Sequence, residues 1–230
     1  MTYRELRPPS GLESVVACLW QHDAVEGAGT RVVPDACVDL LWLGDRLFVA
    51  GPDTGPVVWE SLPAVSGIRL RPGAAGPVLG LPASEVRDQL VPLADLWPEA
   101  GAVTGTALDD EGRRRWLTGS VLRHRADPDQ LVRAAGRRLA VPGARVGRVA
   151  AELGVSERRL HRRTVAAVGY GPKTLARVVR LRRLVDLPGP LAARAAEAGY
   201  ASQAHMSDEV RRLTGLSAVR FLEDARRTAA

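Results

Sequence analysis

Along the first 82 residues, apolar positions come in short runs at 14–20, 37–43, 47–50 and 68–70, separated by glycine, proline and aspartate. Short runs bounded by turn formers predict β-strands, and their even spacing predicts a sandwich or small barrel. Trp20, Trp42 and Trp59 fall in or beside these runs. From Ser84 the period lengthens, and Val86, Leu90, Leu93 and Leu96 fit one or two short helices interrupted by Pro92. Residues 109–124 fit a longer helix, with Trp116, Leu117, Val121 and Leu122 on or near its apolar side. A proline after a charged, polar turn seldom continues a helix, so Ala126-Asp127-Pro128 marks the expected domain boundary. Beyond Asp129 the pattern is helical throughout, cut at 142–143, 154, 169–172, 188–190, 199 and 215. The expected fold class is therefore α+β. A domain over 1–126, β-rich to residue 82 and helical over 83–125, precedes an all-α domain over 127–230.

The helical half repeats itself. Val146-Gly-Arg-Val-Ala-Ala-Glu-Leu-Gly154 aligns with Leu191-Ala-Ala-Arg-Ala-Ala-Glu-Ala-Gly199. After one extra residue in the second copy, Leu160 matches Met206, Thr164 matches Val210, Gly169 matches Gly215 and Leu175 matches Phe221. Each copy reads as a short helix, a glycine turn and a longer helix opened by Ser156 or Ser202, whose hydroxyl can cap the new helix. That is the helix-turn-helix arrangement, in which the second helix enters the major groove. The units fall at about 145–169 and 190–215, joined by a helix over about 172–187. In the first copy, Leu160, Val165 and Val168 can face the core while Arg158, His161 and Arg162 face outward. One basic helix alone reads better as a solvated face of a bundle; two matched copies on one linker point to DNA.

Residues 130–226 resemble the DNA-binding domain of the AraC family. The most specific segments are Ala196-Glu-Ala-Gly-Tyr-Ala-Ser-Gln-Ala-His-Met-Ser207, Arg212-Leu-Thr-Gly-Leu-Ser217 and, in the first unit, Gly154-Val-Ser-Glu-Arg-Arg-Leu-His-Arg-Arg163. The resemblance implies recognition helices in successive major grooves. It places Arg158, His161, Arg162, Gln203, Ala204 and Asp208 at base-reading positions. Ser156, Arg159, Arg163, Ser202, Ser207, Arg211 and Arg212 complete the candidate DNA contacts, with arginines suited to guanine edges or phosphates. Four residues depart from the family pattern. Thr164 stands for a core phenylalanine, Arg194 for an aliphatic core residue, Asp208 for an arginine facing DNA, and Ala218 for a proline. A buried arginine must snorkel or find a partner, and an aspartate beside DNA repels phosphate.

Charge agrees with this division. Residues 1–125 hold 12 Arg/Lys against 16 Asp/Glu, and residues 126–230 hold 20 against 10, within a total of +6. A basic half on a mildly acidic one suits a polyanion in one domain and something else in the other. Lys173 is the only lysine, a bias that reads as GC-rich coding and weakens the arginine excess as evidence by itself. No apolar run nears the ~20 residues of a membrane span, and residues 1–10 lack a signal peptide's apolar core. A cytoplasmic protein without membrane contact is expected.

The runs Val33-Pro-Asp-Ala-Cys-Val-Asp-Leu-Leu-Trp42, Gly51-Pro-Asp-Thr54 and Gly67-Ile-Arg-Leu-Arg-Pro-Gly73 are similar to sensor domains attached to such regulators in actinobacteria. Cys37 and Asp39 share a strand face, as do Arg69 and Arg71. Trp20, Trp42 and Trp59 with Cys37, Asp39, Arg69 and Arg71 could line a pocket for an aromatic or anionic small molecule; the alternative is core tryptophans and solvated arginines. Cys18 and Cys37, with His22 near, could be a redox pair or soft-metal ligands, although buried cysteine is usually a small hydrophobe. Two cysteines cannot fill a four-ligand zinc site, and no metal or cofactor is expected.

A transcriptional regulator modulated by a small molecule is the expected function. Its partners would be double-stranded DNA, an effector, RNA polymerase and, as a homodimer, a second copy. One alternative is a DNA-repair methyltransferase fused to an AraC-like module; the cysteine count and the absence of other catalytic motifs speak against it. Another is a degenerate module whose helices contact protein, motivated by Thr164, Arg194 and Asp208.

Overall fold

The computed structural model describes residues 3–24 and 30–229. Among the described residues of the N-terminal half, eight strands form: β1 (Tyr3–Leu6), β2 (Val16–His22), β3 (Thr30–Val32), β4 (Val38–Leu43), β5 (Arg46–Ala50), β6 (Val57–Trp59), β7 (Val65–Leu70) and β8 (Leu90–Pro92). Six make an antiparallel sheet in the order β1-β2-β7-β4-β5-β8, and β3 pairs with β6 as a separate ribbon. The hairpin β4–β5 turns through Gly44 at φ 64, so that Leu43 faces Arg46; a positive φ at the first turn position matches the right-handed strand twist.

Alternation sorts the sheet into two faces. Val38, Leu40, Trp42, Leu47, Val49, Ile68 and Leu70 point to the main core. They pack there with α1 (Ala75–Leu79) and α2 (Asp110–Arg123), which contributes Leu117 and Val121. The opposite face carries Cys18, Trp20, Leu41 and Val65, flanked by Tyr3, Phe48 and Leu62. A register shift between Val16 and Cys18 lets β2 feed both.

Leu90, expected in a helix, belongs instead to β8, whose Leu90 and Val91 pair with Ala50 and Val49. Pro92 has no amide hydrogen to give a ladder, and an edge strand tolerates that. The rest of 83–103 forms 3₁₀ turns at Ala83–Val86, Leu93–Asp95 and Pro98–Val103. The next helix forms as expected, with the Asp109 carboxylate accepting from the Gly112 amide at 2.8 Å.

Among the described residues seven helices follow: α3 (Gln130–Leu139), α4 (Val146–Glu152), α5 (Glu157–Val168), α6 (Pro172–Asp186), α7 (Leu191–Ala198), α8 (Gln203–Thr214) and α9 (Ala218–Ala229). Their core joins Leu160, Leu175, Val178, Leu181, Leu184, Met206, Val210 and Leu213. Ala36 reaches this second core from the N-terminal half.

In the segment Gly51-Pro-Asp-Thr54, Pro52 meets the helical half at Gly169, while Gly51 packs inside the N-terminal half. A Cβ on Gly51 would lie 1.6 Å from the Val86 carbonyl oxygen, so only glycine fits. Burial, then Asp88, Asp35 and Asp39, push the Asp53 carboxyl up to about 7. Ionised Asp53 therefore opposes the fold. Its contribution to stability is full below its unfolded value of about 3.9 and is lost as pH rises through about 7. Asp53→Asn should consequently stabilise the chain above pH 7 by about 1 kcal/mol after solvent screening, or about 2–4 °C in Tm. The gain should shrink toward nothing near pH 4. Melting scans of both chains across that range check the direction, and a gain independent of pH would contradict it.

Candidate nucleic-acid interface

Both helix-turn-helix units form, and by the same local chemistry. In the first turn the Val155 amide donates to the Ala150 carbonyl; in the second the Tyr200 amide donates to the Ala195 carbonyl. Gly154 at φ 66 and Gly199 at φ 87 adopt the left-handed conformation that each turn requires. Ser156 Oγ accepts from the Arg159 amide at 3.2 Å, and Ser202 Oγ from the His205 amide at 3.1 Å. Each serine opens the second helix of its unit, α5 or α8, at an exposed N-terminus whose positive dipole end suits an anion.

Leu160, Thr164, Ala167 and Val168 are the buried face of α5, while Val165, expected in the core, is half-buried. Thr164 is fully enclosed, and its hydroxyl donates to the Leu160 carbonyl at 2.8 Å. The threonine thus replaces a larger apolar residue without leaving an unpaired group. Arg158, Arg159, His161 and Arg162 stand exposed on the opposite face. Arg163 is exposed too, but its Nε binds Asp129 Oδ2 at 2.6 Å. It braces α5 against the start of α3 and is less free for phosphate than its neighbours.

On α8, Gln203, Ala204, Asp208, Arg211 and Arg212 are exposed, and Ser207 donates to the Gln203 carbonyl at 3.0 Å. Sequence reasoning missed Glu209. Its side chain is 7% exposed and lies within 3.4 Å of Arg177 Nε and Arg180 Nε from α6, with His205 Nε2 at 3.7 Å. Arg180 also donates to the Gly199 carbonyl and lies over the Tyr200 ring. One linker arginine thereby holds both the turn and the second helix, α8, of the second unit. Its place on the core-facing stripe, three residues after Met206, was legible, but its pairing with Arg177 and Arg180 on another helix was not. Arg194, 4% exposed, finds its partner in the Gly189 carbonyl, to which Nε donates at 2.8 Å.

The residues proposed for a ligand in the N-terminal half divide. Trp20 Nε1 donates to Asp39 Oδ1 at 2.8 Å, and Arg69 donates to both oxygens of Asp39 at 3.1–3.3 Å. Trp20 lies across Gly67, where a Cβ would come within 2.4 Å of the indole. Burial raises the Asp39 carboxyl above its ordinary value, while Arg69 and Trp20 oppose that rise. Arg69 also approaches Asp35 at 3.5 Å and Glu5 at 3.7 Å, so its charge is already answered. Trp42, expected beside this group, points to the other face and meets Trp116 edge-on. Trp59 sits on the separate ribbon, opposite Thr30. Arg71 lies past the end of β7 and donates to the Glu13 carbonyl at 2.8 Å.

Cys18 and Cys37 are free and buried. Burial, with Glu5, pushes the Cys18 thiol up to about 11, and burial with Asp35 lifts Cys37 well above its usual range. Both are protonated at neutral pH and weakly nucleophilic. Among the described residues, no group of three His, Cys, Asp or Glu is arranged for a metal ion.

A groove of about 380 Å³ lies elsewhere, between Gly76, Pro77 and Leu81 on one side and Asp129, Ala166 and Ala167 on the other. No helix of the described residues is long and apolar enough to cross a membrane.

Residues 149–224 match a helix-turn-helix domain, and residues 4–92 match a domain of unknown function (DUF6597). No curated protein matches the chain. Among solved structures it is similar to ToxT from Vibrio cholerae O395 bound to (E)-4-(8-methylnaphthalen-1-yl)but-3-enoic acid. That match has 9% identity and a TM-score of 0.50, covering 98% of this chain and 100% of ToxT. Unsaturated fatty acid bound wild-type ToxT from Vibrio cholerae strain SCE256 matches at 10% identity and a TM-score of 0.47, covering 91% of this chain and 95% of that one. The first of these matches shows a likeness of fold alone. The C-terminal part of the chain is an AraC-type helix-turn-helix domain.

Proposed function

We propose that this protein is a sequence-specific transcriptional regulator of the AraC family, with residues 127–230 binding duplex DNA and residues 1–126 answering a small-molecule effector. The carrying observation is the repeated frame itself: two serine-capped helices, α5 and α8, joined by α6 and exposing their outer faces. Helix N-termini of this kind reach base edges while flanking arginines hold phosphate. The reading residues are Arg158, His161 and Arg162 on α5 and Gln203, Ala204 and Asp208 on α8, with Arg159, Arg211 and Arg212 as phosphate contacts.

The likeness in fold to a ToxT chain that holds an organic acid supports an effector on the N-terminal domain. Buried, protonated Cys18 and Cys37 favour a regulator over an enzyme that accepts an alkyl group on sulfur. Such a protein acts in the cytoplasm, where RNA polymerase and a second copy are its further partners.

Selection of duplexes from random-sequence DNA by the full chain tests the proposal, and enrichment of a defined motif is the expected result. Asp208 supplies a sharper check. An exposed carboxylate on a reading helix faces phosphates, so Asp208→Arg should tighten binding to the selected duplex and to a scrambled one alike. It should also steepen the salt dependence by about 0.9. Loss of the selected duplex with scrambled binding unchanged would instead make Asp208 a reader of a cytosine amino group.

A further inference from the structure

The two reading helices are held at their far ends by the N-terminal half. Each helix finishes in carbonyls that carry the negative end of its dipole and lack partners within the helix. At the end of α5, the Gly169 carbonyl accepts from Arg87 Nη1 at 3.3 Å. Gly169 is also seated on that half: a Cβ there would lie 2.4 Å from Pro52 Cγ and 3.1 Å from the Ala83 carbonyl oxygen. At the end of α8, the Thr214 carbonyl accepts from Arg31 Nη1 at 3.1 Å, and the same guanidinium nitrogen lies 3.1 Å from where a Cβ on Gly215 would be.

We propose that Arg31 and Arg87 are positioning residues through which the N-terminal domain fixes the arrangement of α5 and α8 on DNA. The inference rests on the DNA-binding function proposed above. Within the helical half, the two units pack on α6 in one core, and Gly199 of the second sits against Pro142 ahead of the first. A second body bonded to both α5 and α8 closes the frame, and reading successive grooves requires a matched separation of about one helical turn of DNA, roughly 34 Å. The clasps sit at the C-terminal ends and leave the capped N-terminal ends open. Between them Ala36, a non-glycine residue at φ 68, packs into the helical core, and Arg182 Nη1 approaches the Asp35 carbonyl at 3.4 Å. The N-terminal half is thus registered against α6 as well, and a shift within it reaches both reading helices together.

The test compares the full wild-type chain with the full chain carrying Arg31→Ala and Arg87→Ala, each used to select duplexes from random-sequence DNA. Both side chains are exposed, so the variant should fold, and a melting scan verifies this. The wild type should enrich two half-sites at one spacing. The variant should enrich the same half-sites over a spread of spacings. It should also bind the wild-type-selected duplex about tenfold more weakly, with unchanged affinity for scrambled DNA. Arg31→Lys with Arg87→Lys keeps a cation at each carbonyl and should restore the single spacing. One unchanged spacing in the alanine variant overturns the inference, as does an equal loss on selected and scrambled DNA. If the wild type enriches nothing and its binding ignores salt, the DNA-binding function fails and this inference with it.

Discussion

Arg162→Ala should remove about 1–3 kcal/mol of discrimination at one or two base pairs of the selected duplex, while binding to scrambled DNA falls only slightly. Arg162 lies exposed on the outer face of α5, and a guanidinium fork bonded to a guanine edge is worth that much against the wrong base. Arg138 is the matched control. It sits on α3, with its Nε 3.6 Å from Glu152 Oε2, and Arg138→Ala should leave base preference untouched. Titrating each variant against selected and single-base-substituted duplexes separates the two. Equal losses on every duplex would show that Arg162 contacts phosphate, and the reading face would then need reassignment.

Glu209→Ala should be among the most damaging single changes in the second unit. Its carboxylate is the shared counter-charge of Arg177 and Arg180. Removing it leaves two partly buried guanidiniums facing each other, and breaking such a pair costs about 3–5 kcal/mol when fully enclosed. Both arginine side chains are about a quarter exposed and can rehydrate in part. A loss of about 2–3 kcal/mol, or about 4–12 °C in Tm, is expected. Glu111→Ala, which breaks the exposed i,i+4 pair with Arg115, should shift Tm by no more than about 1–2 °C. Calorimetry of both variants decides the matter. If Glu209→Ala melts like Glu111→Ala, the clamp between α6 and α8 holds nothing.

The helical half was legible because its signals are local. Glycine after Ala-Ala-Glu-Leu or Ala-Ala-Glu-Ala, then a serine, fixes turn and cap whatever surrounds them. The helices that form around these signals are α4–α8. Partners contributed by another element were not legible. Neither the bond from Arg163 to Asp129 nor the grip of α6 on Glu209 can be read from one helix alone. The β8 strand was missed because Leu90 and Val91 become strand only by pairing with β5. Trp42 is different, since it lies three residues from Asp39 on β4 and strand parity alone sets the two on opposite faces. Arg71 keeps parity with Arg69, but β7 ends at Leu70 and the chain turns away.

The most direct test of DNA binding through two basic helix-turn-helix units is a titration of the full chain against a duplex of about 30 base pairs over a range of salt. Each neutralised phosphate contributes about −0.9 to the slope of log affinity against log salt. With Arg159, Arg211 and Arg212 exposed on α5 and α8 as phosphate contacts, at least three phosphates should be contacted, giving a slope of about −2.7 or steeper. A flat response, or no binding at low salt, would contradict DNA recognition and leave the two helix-turn-helix units as surfaces for protein.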